Sequence, residues 1–95
     1  MKIFAYDKIK EEATMDKIKA LFKEEVQHTW NLYKKGIFRE LYFRTDKSGV
    51  MVVLECKDVN EAQKYMNECP LVREGLVEFE FVPVGAFTPF ENLFG

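Results

Sequence analysis

The chain has 95 residues, which is enough for one domain and too few for two. Apolar residues make up 47% of it and aromatic residues 15%, a composition that excludes intrinsic disorder. The net charge of −2 gives no basic patch, so we expect no nucleic-acid partner. Its longest apolar run is far below the ~20 residues that span a bilayer, and its first residues do not form a secretory signal. We therefore expect a cytoplasmic protein without membrane contact.

A short strand and a long helix begin the chain. Residues 3–6 are β-branched and aromatic, which predicts the strand. The helix is predicted from Thr14, with Thr14 or Asp16 as its cap and residues 34–36 as its basic, glycine-terminated end. Its apolar residues recur at steps of three and four, and we expect this stripe, Trp30 included, to pack in the core. The stripe consists of Met15, Ile18, Phe22, Val26, Trp30 and Tyr33.

A hairpin follows the helix. Residues 37–45 and 50–56 are predicted strands, and residues 46–49 have the Asp-first, Gly-fourth pattern of a turn. The run 50–56 is the most strand-like segment of the chain.

A second helix and a last strand complete the pattern. Asp58 caps the helix with Glu61 at the capping-box position, and Pro70 ends it. Residues 76–82 form the last strand, which we expect to end at Pro83.

The element order β-α-β-β-α-β predicts an α+β, ferredoxin-like fold, in which four antiparallel strands carry two helices on one face. On the last strand Val77, Phe79 and Phe81 form an apolar row that should lie under the helices. The other face is half apolar and half charged. A second copy of the same face, related by a two-fold axis, would cover it most simply, so we expect a homodimer or a higher homo-oligomer.

Four segments resemble muconolactone isomerase-like proteins. The hairpin segments 36–42 and 50–56 are similar to that family's hairpin, and Cys69-Pro70-Leu71-Val72 followed by residues 78–84 is similar to its leucine-proline-leucine segment and final strand. The sequence departs from the isomerase pattern at Glu40, where those enzymes have His, and at Phe43, where their strand end is more basic.

The resemblance implies a dimeric α/β barrel that binds a small organic molecule in an apolar cleft. For the isomerases it implies cofactor-free proton transfer on a small unsaturated lactone acid. The alternative is a non-catalytic ligand-binding or assembly domain of the same fold. A third hypothesis, a haem- or oxygen-handling monooxygenase, would require the one histidine to ligate iron.

Glu78 and Glu80 are the best candidates for catalysis, because they lie on one side of the last strand, about 7 Å apart. Two carboxylates in a dry cleft repel each other, which favours proton uptake by one of them, as a general base requires. The alternative is that they pair with Lys or Arg across the sheet, or lie at a solvated rim.

Three hairpin residues are candidates for substrate binding. Tyr42 and Arg44 share a face and would present a phenol and a guanidinium to an anion. Arg39 coincides with an arginine of the family, but it faces the opposite side unless a bulge intervenes. A structural ion pair explains Arg39 equally well.

His28 is the only histidine and the third candidate for acid/base catalysis, if it points over the sheet edge into the cleft. A partly exposed helix histidine beside Glu24 or Glu25 is the alternative. The spacing of Glu25 and His28 supplies only two metal ligands, so we expect no metal site. The glycines form no nucleotide-binding motif, and we expect no cofactor. Cys56 and Cys69 are expected to be reduced, hydrophobic thiols.

The residues after the predicted domain, 86–95, are unusually apolar. Phe87, Phe90, Leu93 and Phe94 are too apolar for a disordered end, and the domain of residues 1–85 covers its own core. We therefore expect this tail to dock on a partner subunit or over the cleft.

Overall fold

A computed structural model describes residues 1–95. Its elements, in chain order, are β1 (Lys2–Ile9), α1 (Met15–Lys34), β2 (Phe38–Phe43), β3 (Val50–Glu55), α2 (Val59–Asn67), α3 (Pro70–Arg73), β4 (Val77–Val84) and a 3₁₀ helix (Thr88–Leu93). The strands form one antiparallel sheet in the order β2-β3-β1-β4. The predicted α+β, ferredoxin-like fold is confirmed.

Two proline positions differ from the prediction. Pro83 does not end the last strand, since β4 continues to Val84 and Pro83 pairs with Ile3 of β1. A proline is tolerated there because β4 lies at the sheet edge. Pro70 follows the end of α2, but it also opens the four-residue α3.

The helix caps follow the sequence closely. The Thr14 hydroxyl accepts a hydrogen bond from the Lys17 N–H at 3.3 Å. The Asp58 carboxylate accepts one from the Glu61 N–H at 2.8 Å, and Glu61 in turn accepts one from the Lys57 N–H at 3.2 Å. These bonds satisfy backbone donors that the first helical turn leaves free.

The hydrophobic core lies between the helices and one face of the sheet. β1 and β3 contribute Ile3, Ala5, Val52 and Leu54, which are buried. Val77 is buried as well, while Phe79 and Phe81 are half-buried against the core, as the alternating pattern predicts. Both cysteines are free and buried, and burial raises the pKa of Cys69 to about 12.

The expectation that the stripe of α1 packs in the core is wrong for five of its six residues, and only Ile18 is half-buried. α1 turns a different row inward, in which Leu32 is buried and Leu21, Glu25 and His28 are half-buried. Glu25 is accommodated because its carboxylate accepts a hydrogen bond from the Leu71 N–H at 2.9 Å. Five apolar residues of α1 are consequently exposed by about half or more, and we call them the outer stripe. The outer stripe consists of Met15, Phe22, Val26, Trp30 and Tyr33.

A register shift in β2 decides which of its side chains face away from the helices. Phe38 pairs with Leu54, and Glu40 pairs with Val53, which adjoins Leu54 on β3. Arg39 is therefore an extra, bulged residue without a partner on β3. The bulge places Phe38 in the core and turns Glu40 and Tyr42 to the other face of the sheet.

No helix of the structure combines the length and the apolar character that crossing a bilayer requires.

Candidate ligand-binding face

The sheet face away from the helices, here called the open face, carries two complete rows of side chains across the four strands. In the order β2, β3, β1, β4, the first row is Tyr42, Met51, Tyr6 and Glu80. In the same order, the second row is Glu40, Val53, Phe4 and Val82. The middle of the open face is therefore apolar, and phenols and carboxylates border it.

The apolar centre is well packed even in a single chain. Val53 is only 2% exposed although it points away from the helices. Phe4 and Met51 are half-buried, while Val82 at the edge is 43% exposed. The open face thus offers a small apolar floor rather than a deep cavity.

Tyr6 lies opposite Glu80 on neighbouring strands. Hydrogen bonding to Glu80, together with its negative charge, raises the pKa of the Tyr6 phenol, and the charge of Arg44 offsets a smaller part of this effect. The pair thus places a carboxyl group beside a phenol that retains its proton at neutral pH.

A second phenol–carboxylate pair stands on β2. The Tyr42 hydroxyl donates a hydrogen bond to Oε1 of Glu40 at 2.5 Å. This bond, followed by the charge of Glu40, raises the pKa of Tyr42. Each outer strand therefore places a carboxylate against a tyrosine at the rim of the apolar floor.

Arg44 follows β2 at the end of the open face. Its guanidinium donates to both carboxylate oxygens of Asp46, at 2.9 and 2.6 Å. This pairing lowers the pKa of Asp46 and raises that of Arg44. Its charge also acts on Tyr6 and on Asp7, so Arg44 adds a positive charge to the end of the face that carries Tyr6.

The structure brings together some of the residues predicted to form the site and separates others. Glu80, Tyr42 and Arg44 all belong to the end of the open face that carries Tyr6. Glu78 shares the open face with Glu80, and both are exposed, but Glu78 lies farther along β4, opposite Lys8 of β1.

Arg39 and His28 lie elsewhere. Arg39 is exposed beside Gly36, at the end of α1. His28 lies in the helix layer, on the other side of the sheet from Glu80. Its Nε2 atom is buried and has no hydrogen-bond partner. No group of three His, Cys, Asp or Glu side chains has the arrangement of a metal site.

Sequence reasoning missed Tyr6 and Phe4. A detectable signal was present, because Ile3 and Ala5 alternate with these two aromatic residues along β1. The alternation alone does not reveal that Tyr6 stands beside Glu80. That requires the β1–β4 register, which joins residues 74 positions apart, since Tyr6 pairs with Glu80.

No protein-family model and no curated protein sequence matches this chain. Muconolactone isomerase superposes with a TM-score of 0.76 over 94% of this chain and 93% of that one, at 16% identity. The 5-chloro-2-hydroxyhydroquinone dehydrochlorinase TftG of Burkholderia phenoliruptrix AC1100, in complex with 2,5-dihydroxybenzoquinone, superposes with a TM-score of 0.72 over 90% of this chain and 94% of that one, at 13% identity. The chain therefore has a muconolactone isomerase-like fold.

Proposed function

We propose that two copies of the chain pair open face to open face and bind a small organic molecule between their sheets. On that molecule they carry out proton transfer without a cofactor. The row formed by Tyr42, Met51, Tyr6 and Glu80 supports this proposal, because it combines an apolar floor with phenols and a carboxylate.

Pairing through the open face explains its mixed character. Its apolar floor includes Phe4 and Met51, which are only half-buried in a single chain, and Val82, which is exposed, while its polar groups lie at the rim, as in a protein–protein interface. A two-fold axis parallel to the strands sets β4 of one copy beside β2 of the other, because the sheet order reverses across the axis. Glu80 would then face the partner's Tyr42 across the cleft.

In the proposed chemistry each polar group at the border of the apolar floor has one role. Glu80 is the proposed base, which removes a proton from carbon next to a carbonyl group. Tyr6 keeps its proton, and on substrate binding its single O–H turns from Glu80 to donate a hydrogen bond to the oxygen on which negative charge develops. Return of the same proton from Glu80 to a different carbon completes an isomerisation without net loss of atoms or electrons. Tyr42 and Arg44 are proposed to bind the substrate, whose anionic group the Arg44 charge favours.

The names of the two structural neighbours support the choice of substrate class. One neighbour is an isomerase of a lactone, and the other is bound to a small quinone. Both are compact unsaturated rings that carry carbonyl groups. We therefore propose a small unsaturated cyclic carbonyl compound as the substrate.

Deuterium exchange tests the proposal directly. The full chain is incubated with unsaturated lactones in D₂O, and incorporation of deuterium next to the carbonyl is followed by NMR. We expect Glu80→Gln to slow exchange by about 100-fold or more, and Tyr6→Phe by about 10-fold. Glu74→Gln is the control, since Glu74 is exposed and its side chain makes no hydrogen bond or ion pair. Equal rates in the wild type and Glu80→Gln would overturn the proposed chemistry.

The alternative is a ligand-binding or assembly domain without catalysis. The partnering of Tyr42 by Glu40 favours it, because this phenol and carboxylate satisfy each other without a substrate. Binding of a lactone that shifts the signals of Tyr6 and Met51 without any deuterium incorporation would identify the protein as a binding domain.

A further inference from the structure

The end of α1 and the start of β2 border a shallow depression on the helix side of the sheet, away from the open face. Its volume is about 420 Å³, which lies in the range of small-molecule sites. We call it the aromatic–basic depression. It is lined by Trp30, Tyr33, Lys34, Gly36, Phe38 and Arg39.

Two aromatic rings of the outer stripe form one wall of the aromatic–basic depression. The rings of Trp30 and Tyr33 are stacked, with their centroids 5.8 Å apart and an angle of 22° between their planes. Both side chains are about half exposed. A further planar ring can extend this stack, because aromatic rings pack favourably in offset, nearly parallel arrangements. The wall therefore suits a flat, conjugated ligand better than a saturated one.

Two cationic side chains border these rings. Nζ of Lys34 lies 5.9 Å from the centroid of the Trp30 ring. Nη1 of Arg39 lies 3.9 Å from the position that a Cβ at Gly36 would take, so its guanidinium lies against the end of α1. No acidic side chain lines the depression. An anion bound there would therefore meet two positive charges and no negative one.

The polar side chains of the depression are hydrogen-bond donors that have no acceptor within the chain. Neither the Arg39 guanidinium nor the Lys34 ammonium forms an ion pair. These two groups, the Trp30 indole N–H and the Tyr33 hydroxyl also form no side-chain hydrogen bond. The structural ion pair that would explain Arg39 is thus not formed, and a surface made of donors is complementary to a ligand made of acceptors.

The bulge in β2 explains why Arg39 reaches this surface. Arg39 has no partner on β3, whereas Phe38 before it is buried in the core and Glu40 after it lies on the open face. Bulges are common beside functional sites, where they redirect a side chain. The last carbonyls of α1 do not capture the guanidinium, because those of residues 31–33 already accept hydrogen bonds from the N–H groups of residues 35–37.

We propose that the aromatic–basic depression is a ligand site separate from the open face, and that it binds a small planar aromatic carboxylate. The ring of the ligand stacks on the Trp30–Tyr33 wall. Its carboxylate accepts hydrogen bonds from the Arg39 guanidinium and pairs with Lys34. The depression and Glu80 lie on opposite sides of the sheet, so this site is independent of the proposed function.

Trp30 reports on the site, because it is the only tryptophan of the chain and gives a single indole N–H signal. The full chain is titrated with 2-naphthoate, and the Trp30 indole and Arg39 Nε–H signals are followed by ¹⁵N NMR. We expect both signals to shift in a saturable manner. The neutral 2-naphthamide and the non-planar decalin-2-carboxylate each lack one of the two recognised features, so each should bind about 10-fold or more weakly.

Variants of exposed residues test the contacts without disturbing the core. Arg39→Gln should weaken the binding of 2-naphthoate about 10-fold or more, and Tyr33→Leu should weaken it about threefold or more. Arg73→Gln is the matched control, since Arg73 is also exposed but lies on α3, where it pairs with Glu24 at 3.6 Å. It should leave the binding unchanged.

The outcomes separate this site from the open face. Shifts of Tyr6 and Met51 without a shift of Trp30 would show that the acid binds the open face, and would overturn the site. Equal binding of 2-naphthoate and 2-naphthamide, or unchanged binding in Arg39→Gln, would also overturn it, because the contact would then be apolar only. Absence of any shift at millimolar 2-naphthoate overturns it as well, whether Trp30 is open to solvent or covered by another chain. Saturable binding that Arg39→Gln weakens supports the site even where the protein exchanges no deuterium into lactones.

Discussion

The Tyr6 phenol and the Glu80 carboxylate lie opposite each other on β1 and β4, and hydrogen bonding to Glu80 raises the pKa of Tyr6. Tyr42 and Glu40 repeat this combination within β2, at the opposite edge of the sheet. The two pairs are independent, because Met51 of β3 stands between the two tyrosines in the row.

This independence leads to a reciprocal prediction. Glu80→Gln should lower the pKa of Tyr6 towards the ordinary value of 10.0 and leave that of Tyr42 unchanged. Glu40→Gln should lower the pKa of Tyr42 towards 10.0 and leave that of Tyr6 unchanged. The measurement is a pH titration of ¹³C-labelled tyrosine rings by NMR.

The sign of the effect on stability follows from the raised pKa. The folded state holds the tyrosine proton more tightly than the unfolded chain, so stability falls as the pH rises from about 10 through the folded pKa. This alkaline loss should be smaller in Tyr6→Phe. A Tyr6 pKa that does not respond to Glu80→Gln would contradict the pairing.

Asp7 gives a second pH-dependent prediction. Burial raises the pKa of its carboxyl above the ordinary 3.8, while the hydrogen bond from the Val50 N–H, 3.0 Å long, acts in the opposite direction. The folded state therefore binds this proton more tightly, and the stability gained from the protonated form is lost as the pH rises from 3.8 through the folded pKa.

We expect Asp7→Asn to be at least as stable as the wild type at pH 7, because the amide oxygen still accepts from Val50 without a buried charge. Asp7→Ala leaves that N–H without a partner and should lose about 1–2 kcal/mol. Urea unfolding of both variants at pH 4 and pH 7 measures this. Equal losses for the two at pH 7 would show that the ionised carboxylate stabilises the fold.

Gly49, which precedes β3, is required by its surroundings. Its φ is +145°, and a Cβ placed there would lie 2.5 Å from Oδ1 of Asp7. Gly49→Ala should therefore cost about 2 kcal/mol or more, since backbone strain and displacement of Asp7 add together. Gly85→Ala is the matched control, with open space around its Cβ position, and should change the free energy of unfolding by less than about 0.5 kcal/mol.

Two neighbouring glutamates of α1 should differ in their effect on stability. Glu25 is half-buried and bonds to the Leu71 N–H at the start of α3, so Glu25→Ala should cost about 1–2 kcal/mol. Glu24 is exposed and pairs with Arg73 at 3.6 Å, so Glu24→Ala should cost about 0–1 kcal/mol. Denaturant unfolding compares them, and a larger loss for Glu24→Ala would contradict the assigned role of Glu25.

The local signals of the sequence were sufficient for the elements and their order. Thr14 and Asp58 cap the helices as predicted, because a cap depends only on residues within one turn of it. The alternation along β4 correctly placed Val77, Phe79 and Phe81 towards the helices, and Glu78 and Glu80 together on the open face. Periodicity of two is a local property of a strand.

The orientation of α1 was decided by contacts that the sequence does not display. Hydrophobic periodicity predicted that the stripe containing Trp30 packs against the sheet. In the structure Glu25 and His28 face inward instead. A buried carboxylate is tolerated only where a donor meets it, and that donor, the Leu71 N–H, lies 46 residues away in the chain. Helical spacing therefore identified an apolar surface of α1, but it did not show whether that surface faces the sheet or the solvent.

The open face likewise combines features that local sequence predicts with features that depend on contacts between distant segments. By itself the sequence determined the elements and their order, the starts of the helices and the face on which each residue of β4 lies, because these depend on the nearest few residues. Only the tertiary structure decided that Tyr6 meets Glu80, that the Arg39 bulge turns Tyr42 to the open face, and that His28 lies on the far side of the sheet. Those placements depend on strand register and helix rotation, which are set by packing between segments far apart in the chain.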